Sequence, residues 1–211
     1  MKRYNKKKNN RIIAVVAIVL VIAIAAFAIF IYAVTEKSRI VKSLYDAQCP
    51  SYVDVQLLPK GIMSSRNGRA IDEVNNIVIH YVGNPGTTAQ QNHDYFSNPG
   101  TTVNSHFLVG LDGEVIQCIP LYERSSASNW RNKDTISIEV CHPDISGEFN
   151  EETEKRLVEL TAWLCKICKL DSDDVIRHYD ITGKLCPLYY VQNESEWESL
   201  LKKVDTALKQ N

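Results

Sequence analysis

From Ile12 to Val34 the sequence runs 23 residues without a charge, IIAVVAIVLVIAIAAFAIFIYAV. A helix rises about 1.5 Å per residue, so a run of this length crosses the roughly 30 Å hydrocarbon layer of a bilayer. The sequence therefore predicts a transmembrane signal anchor over residues 12–34, preceded by a basic cytoplasmic tail over residues 1–11. A cleavable signal peptide is the competing reading. Its apolar region usually measures about 7–15 residues and ends in a small-x-small site, whereas this run is longer and ends in Ala33-Val34-Thr35-Glu36. Lys2, Arg3, Lys6, Lys7, Lys8 and Arg11 place six positive charges and no acid ahead of the span. Such an excess stays on the cytoplasmic side, which puts the rest of the chain outside the cell membrane.

Charge then excludes one class of partner. Those six residues are part of 24 Lys and Arg, and all 25 Asp and Glu lie beyond the span, leaving the outer part formally at −7. No nucleic-acid-binding surface is expected from that balance.

Residues 35–66 carry two prolines and little periodicity and read as a stalk or lead-in. Patterns sharpen over 67–211. NNIVIHYVG (75–83) is a buried strand entering a loop, and TAQQNHDYFSN (88–98) has helical spacing. NSHFLVGLDGEVIQCIP (104–120) is a hairpin turning at Asp112-Gly113, and TISIEVCHP (135–143) is a further strand. Residues 150–170 place Leu157, Leu160, Leu164 and Ile167 on one helical face behind a capping Asn150. VIRHYDITGKLCP reads as a short strand breaking into a loop, and ESEWESLLKKVDTAL as a closing amphipathic helix. Interleaved strands and helices predict one α/β domain, a mixed central β-sheet flanked by helices, preceded by one transmembrane helix.

Of the six cysteines, Cys165 and Cys168 fall in the apolar pattern of a helix interior, where packing explains them better than redox chemistry. Cys118 and Cys141 sit on strands expected to be neighbours, so both a disulfide and buried free thiols are open to them. His178 and Cys186 lie eight positions apart, and His80 ends the first strand. Two histidines and a cysteine are a donor set for a catalytic zinc ion, which takes three protein ligands and keeps one position open. His93 and His142 read as surface or loop residues.

IVIHYVG, SHFLVGLDGEVIQCIP, ISIEVCHP and RHYDITGKLCP resemble, in order and spacing, the zinc-dependent N-acetylmuramoyl-L-alanine amidases of the amidase-2 type. That family includes phage amidase lysozymes and peptidoglycan recognition proteins. The resemblance covers residues 75 to about 190. It implies that His80, His178 and Cys186 bind Zn2+, that Glu139 serves as general base and acid, and that Lys184 stabilises the oxyanion. It also implies a peptidoglycan substrate, cut at the amide between N-acetylmuramic acid and the L-alanine of the stem peptide. Phage members carry a tyrosine where this chain has Ser105, which shifts the acid-base work onto Glu139. His106, Asn84 and Trp130 are expected to touch substrate, with Asn129 and Arg131 as further contacts. The alternative function is a peptidoglycan-binding module without catalysis. A second rival is a thiol oxidoreductase built on Cys165 and Cys168.

Overall fold

The computed structural model describes residues 2–61 and 63–210, with side chains from residue 15 onward. The basic side chains of the N-terminal tail lie outside what is described. The chain divides into two compact units, one ending at Arg39 and the other starting at Ile40. Helix α1 covers Lys2–Ser43, so helix continues nine residues beyond the expected end at Val34. Its stretch from Val15 is long and apolar enough to cross a membrane, and none of its most apolar window is buried in protein.

The second unit is built on one six-stranded sheet of order β1-β4-β3-β5-β2-β6. The strands are β1 (Val53–Val55), β2 (Asn76–Tyr81), β3 (Phe107–Val109), β4 (Val115–Gln117), β5 (Thr135–Val140) and β6 (Val175–Arg177). All neighbouring pairs are parallel except β3 and β4. That one antiparallel pair is the expected hairpin, closed by a bond from Gly110 N to Glu114 O at 2.8 Å. Gly113 turns there with φ 76°, a conformation that a Cβ would strain.

Both faces of the sheet are covered. Phe107 and Val109 of β3 join Ile77, Ile79, Ile136 and Ile138 under α3 (Glu151–Cys168) and α6 (Glu194–Gln210). Leu108 points the other way, packing with Ile116, Ala89 and Phe96 beneath α2 (Ala89–Ser97). The alternation follows from the two-residue period of a strand, and a sheet buried on both sides explains why these strands read as nearly continuous apolar runs. Helix α3 begins where expected: Asn150 accepts from Thr153 N at 3.0 Å and three acids occupy the first turn. Its buried stripe includes Leu157, Leu160, Leu164, Cys165 and Cys168.

Three expectations need correction. The segment 35–66 is not a stalk throughout: Leu44 and Leu58 are buried, and β1 adds a parallel strand to the edge of β4. The chain after β6 is not a plain loop but a helical turn, α4 (His178–Thr182), ending at left-handed Gly183, followed by α5 (Leu188–Gln192). Cys118 and Cys141 are not on neighbouring strands, because β3 lies between β4 and β5, and all six cysteines are free thiols.

Candidate active site

Strands β5, β2 and β6 run side by side in the same direction, and their carboxyl ends form one corner of the domain. Such an end is where open α/β sheets place ligands. His80 and Glu139 are register partners across β2 and β5. They share the parity of Val78 and Ser137, opposite to the isoleucines that pack under α3 and α6, so both side chains leave the sheet on the α2 side. His178 follows β6 directly, and the α4 turn brings the chain back so that Cys186 O accepts from Tyr179 N at 3.0 Å. Residues 106 positions apart in sequence thereby meet, with His80 Nδ1 3.9 Å from Cys186 Sγ.

The donor atoms of His80, His178 and Cys186 all lie within 4.8 Å of one another, and the three residues are buried. The imidazoles of His80 and His178 stand 4.6 Å apart between centroids. Burial, then the neighbouring His178 and Lys184, hold His80 well below the usual imidazole range. Burial followed by Lys184 lowers His178 as well. Two neutral imidazoles therefore offer lone pairs here. The Cys186 thiol is pushed up to about 12, first by burial and then by Glu139, with the Tyr81 backbone and Lys184 opposing. Among the described residues only the Tyr81 backbone and Lys184 favour the thiolate, and they do not outweigh burial; a dication would bring the missing positive charge. His178 Nδ1 is buried without a hydrogen-bond partner, and so is Glu139 Oε2. Orphaned buried groups of this kind call for an explanation, and a metal ion fits both the vacant lone pair and the His-His-Cys chemistry.

Glu139 stands beside this cluster, its Oε1 3.9 Å from His80 Nδ1 and its side chain 19 % exposed. Burial pushes its carboxyl up to about 8, against the opposing pull of Lys184. That places proton exchange near neutral pH, where a general base and acid is useful. Lys184 is exposed and lines the same cleft. The cleft, ≈ 1440 Å³, runs from His80, Glu139 and His178 to a wall made by Gln91 and Tyr95 of α2 and the segment Thr102–Asn104.

The remaining expected contacts divide. Asn84 lines the cleft. Trp130 is 63 % exposed but falls outside the cleft wall, while its neighbour Asn129 belongs to it. His106 is not a substrate contact: it is fully buried, Nε2 bonds Glu123 O at 2.9 Å, and Nδ1 accepts from Ser137 N at 3.0 Å. Ser105 is equally buried and donates to Phe107 O at 2.7 Å, so it has no access to the site. Arg131 is occupied by Asp134. His142 lies in a loop, one of the two settings expected for it, but is buried, its ring tilted against Tyr81 with centroids 5.0 Å apart. Cys165 and Cys168 are buried and raised to about 12, chiefly by that burial, far from the thiolate that redox exchange uses.

Two residues at the site escaped sequence reasoning in this role. Ser128 Oγ lies 3.3 Å from His80 Nε2, and Asn129 Oδ1 lies 2.9 Å from His178 Nε2. The polar run SASNWRN carried a signal for a loop, but not for partners 48 and 49 residues away.

Comparison with known proteins gives the family and the fold. Among relatives, the N-acetylmuramoyl-L-alanine amidase BlyA of Bacillus subtilis (strain 168) is 33 % identical over 161 residues, covering 66 % of this chain and 43 % of that protein. CwlL of Bacillus licheniformis is 30 % identical over 161 residues, covering 68 % of this chain and 44 % of its own length. The chain thus spans less than half the length of these curated relatives. A mutant endolysin from Bacillus subtilis superimposes with TM-score 0.63 at 26 % identity, covering 72 % of this chain and 97 % of that one. PlyL shares the fold at TM-score 0.65 and 22 % identity, covering 74 % and 98 %. Residues 70–188, more than half of the chain, match the Amidase_2 model, described as N-acetylmuramoyl-L-alanine amidase, and the chain belongs to that family.

Proposed function

We propose that this protein is a membrane-anchored zinc amidase of the bacterial wall, hydrolysing the amide between N-acetylmuramic acid and the L-alanine of the stem peptide. The observation that carries the reading is the convergence of His80, His178 and Cys186 donor atoms within 4.8 Å, with Glu139 and Lys184 at the same cleft. His80 Nδ1, His178 Nδ1 and Cys186 Sγ would hold the ion. Zinc in such a setting supplies Lewis acidity toward a carbonyl and lowers the pKa of a water toward about 7.

The chain's own groups do the rest. Glu139 takes the proton of the attacking water and delivers it to the leaving amide nitrogen. The Lys184 ammonium faces the scissile carbonyl and stabilises the negative charge that develops on its oxygen. Asn84 and the α2 wall of the cleft orient the glycan and stem peptide. Helix α1 anchors the chain with its basic end in the cytoplasm, following the charge asymmetry of its flanks. The catalytic domain then faces the wall directly.

The test uses the full chain in detergent with purified peptidoglycan, with and without a zinc chelator, and products identified by mass spectrometry. Stem peptides beginning with alanine, lost on chelation and restored by zinc, are expected. Peptidoglycan that is bound but left intact would instead establish a recognition module without catalysis.

A further inference from the structure

Two histidines that serve one metal ion must each present an unprotonated nitrogen to the same point. A neutral imidazole carries its single hydrogen on either nitrogen, and its hydrogen-bond partner decides which. On His178 the partner is Asn129: Nε2 lies 2.9 Å from Oδ1, while Nδ1 is buried without a partner. A carboxamide oxygen only accepts, so this bond forms when the hydrogen sits on Nε2, leaving the Nδ1 lone pair turned inward. On His80 the same nitrogen faces the turn, here toward a hydroxyl that can give or take the bond. Nε2 is 3.3 Å from Ser128 Oγ, and Nδ1 faces Cys186 Sγ at 3.9 Å. Consecutive residues of one turn therefore hold the outer nitrogens of both histidines.

The turn is fixed independently of any ligand. Asn132 Oδ1 accepts from the backbone N–H of Ala127 at 3.1 Å and of Ser128 at 2.6 Å. Arg131 is clamped to Asp134, and Ser128 is fully buried. Asn129 itself sits at φ 53°, a left-handed conformation that asparagine tolerates better than most side chains and that aims its carboxamide at His178.

We infer that Asn129 is a positioning residue that sets the tautomer of His178 and, with Ser128 beside it, holds the ring orientation of the histidine pair, so preorganising the site for zinc. The inference rests on the zinc reading above and extends it to residues outside the ligand set.

The experiment compares the full wild-type chain in detergent with Asn129→Gly and Asn129→Asp. Glycine keeps the left-handed backbone and removes the acceptor, whereas aspartate keeps an acceptor in the same place. Zinc affinity, read by competition with a chromophoric chelator, is expected to fall about 10–100-fold in Asn129→Gly and to return to the wild-type level in Asn129→Asp. Nitrogen-15 histidine spectra of the metal-free chain give the second readout: hydrogen on His178 Nε2 in wild type, and spread over both nitrogens in Asn129→Gly. If glycine unsettles the turn, Asn129→Ser, which shortens the side chain away from His178, repeats the His178 tautomer readout. Wild-type zinc affinity and an unchanged tautomer in Asn129→Gly would overturn the positioning role. A wild-type chain that takes up no zinc would overturn the ligand reading instead, and the metal-free spectra still decide the role of Asn129.

Discussion

Individual side chains separate into those that carry chemistry and those that hold the frame, and histidine shows both. His80 turns Nδ1 to Cys186 and His178 leaves Nδ1 without a partner at the cleft, whereas His106 has both ring nitrogens occupied in the core. Burial lowers His106 to about 4, outweighing the Glu123 contacts that favour its charged form. The unfolded imidazole takes up its proton near 6.5 and the folded one only near 4, so the unfolded state binds more protons between these values. Stability is then full above about pH 6.5 and lost progressively on acidification toward about pH 4, by about 3 kcal/mol. Urea midpoints measured across that window should fall more steeply for wild type than for His106→Gln. At the cleft, Cys186→Ser is expected to abolish both zinc retention and hydrolysis. Glu139→Gln should keep zinc while lowering kcat about 10²–10⁴-fold, measured by steady-state kinetics on muropeptide. The meeting of His80, His178 and Cys186 was legible in the sequence because they sit in short motifs whose order resembles a known family. Ser128 and Asn129 were not, since a hydrogen bond to a histidine 48 or 49 residues away leaves no local pattern.

Elements with strong periodicity were also legible: β2, the β3–β4 hairpin, β5, α3 and α6 stand where apolar spacing and caps put them. The failures share a physical cause. Strand β1 has only three residues, two of them exposed, so no alternation marks it, and its identity comes from pairing with β4. Helix α4 is five residues long and is closed by the bond from Gly183 N to Tyr179 O at 2.7 Å. Such single turns are set by tertiary contacts rather than propensity. For α3 the cap is decisive. Asn150 accepts from Thr153 N and donates to Leu111 O at 2.9 Å, joining the helix start to the hairpin turn. Asn150→Ala should cost about 1–2 kcal/mol in urea unfolding. Leu160→Ala, which empties a fully buried position of the same helix, should cost about 2–5 kcal/mol.

At the scale of the whole molecule, the boundary between units falls at Arg39 and Ile40, well before the residue 67 at which the sequence patterns sharpen. The reason lies in Leu44, Leu58 and the nearly buried Arg66–Glu123 pair, which forms two parallel hydrogen bonds at 2.8 and 2.9 Å. A fragment starting at residue 67 would expose the sheet edge at β4 and leave Glu123 buried without its guanidinium, a loss of about 3–5 kcal/mol. Circular dichroism and thermal melts are therefore expected to show a folded, soluble 40–211 fragment and a largely unfolded 67–211 fragment. The full chain, by contrast, should sediment with membranes and require detergent for release, with the domain open to protease added outside intact protoplasts.

The shared rung of His80 and Glu139 has a mechanical meaning for the cleft. Two side chains borne by adjacent central strands are separated by the sheet's own spacing, about 4.8 Å, and cannot be moved apart without unzipping the core. The opposite wall hangs on α2 and the irregular segment around Thr102–Asn104, joined to the sheet by side-chain packing and a few bonds. The cleft therefore works as a vice with one jaw cast into the body and the other free to be recut. On the proposed function, changes of substrate preference would fall on the second jaw, and changes at His80 or Glu139 on the first.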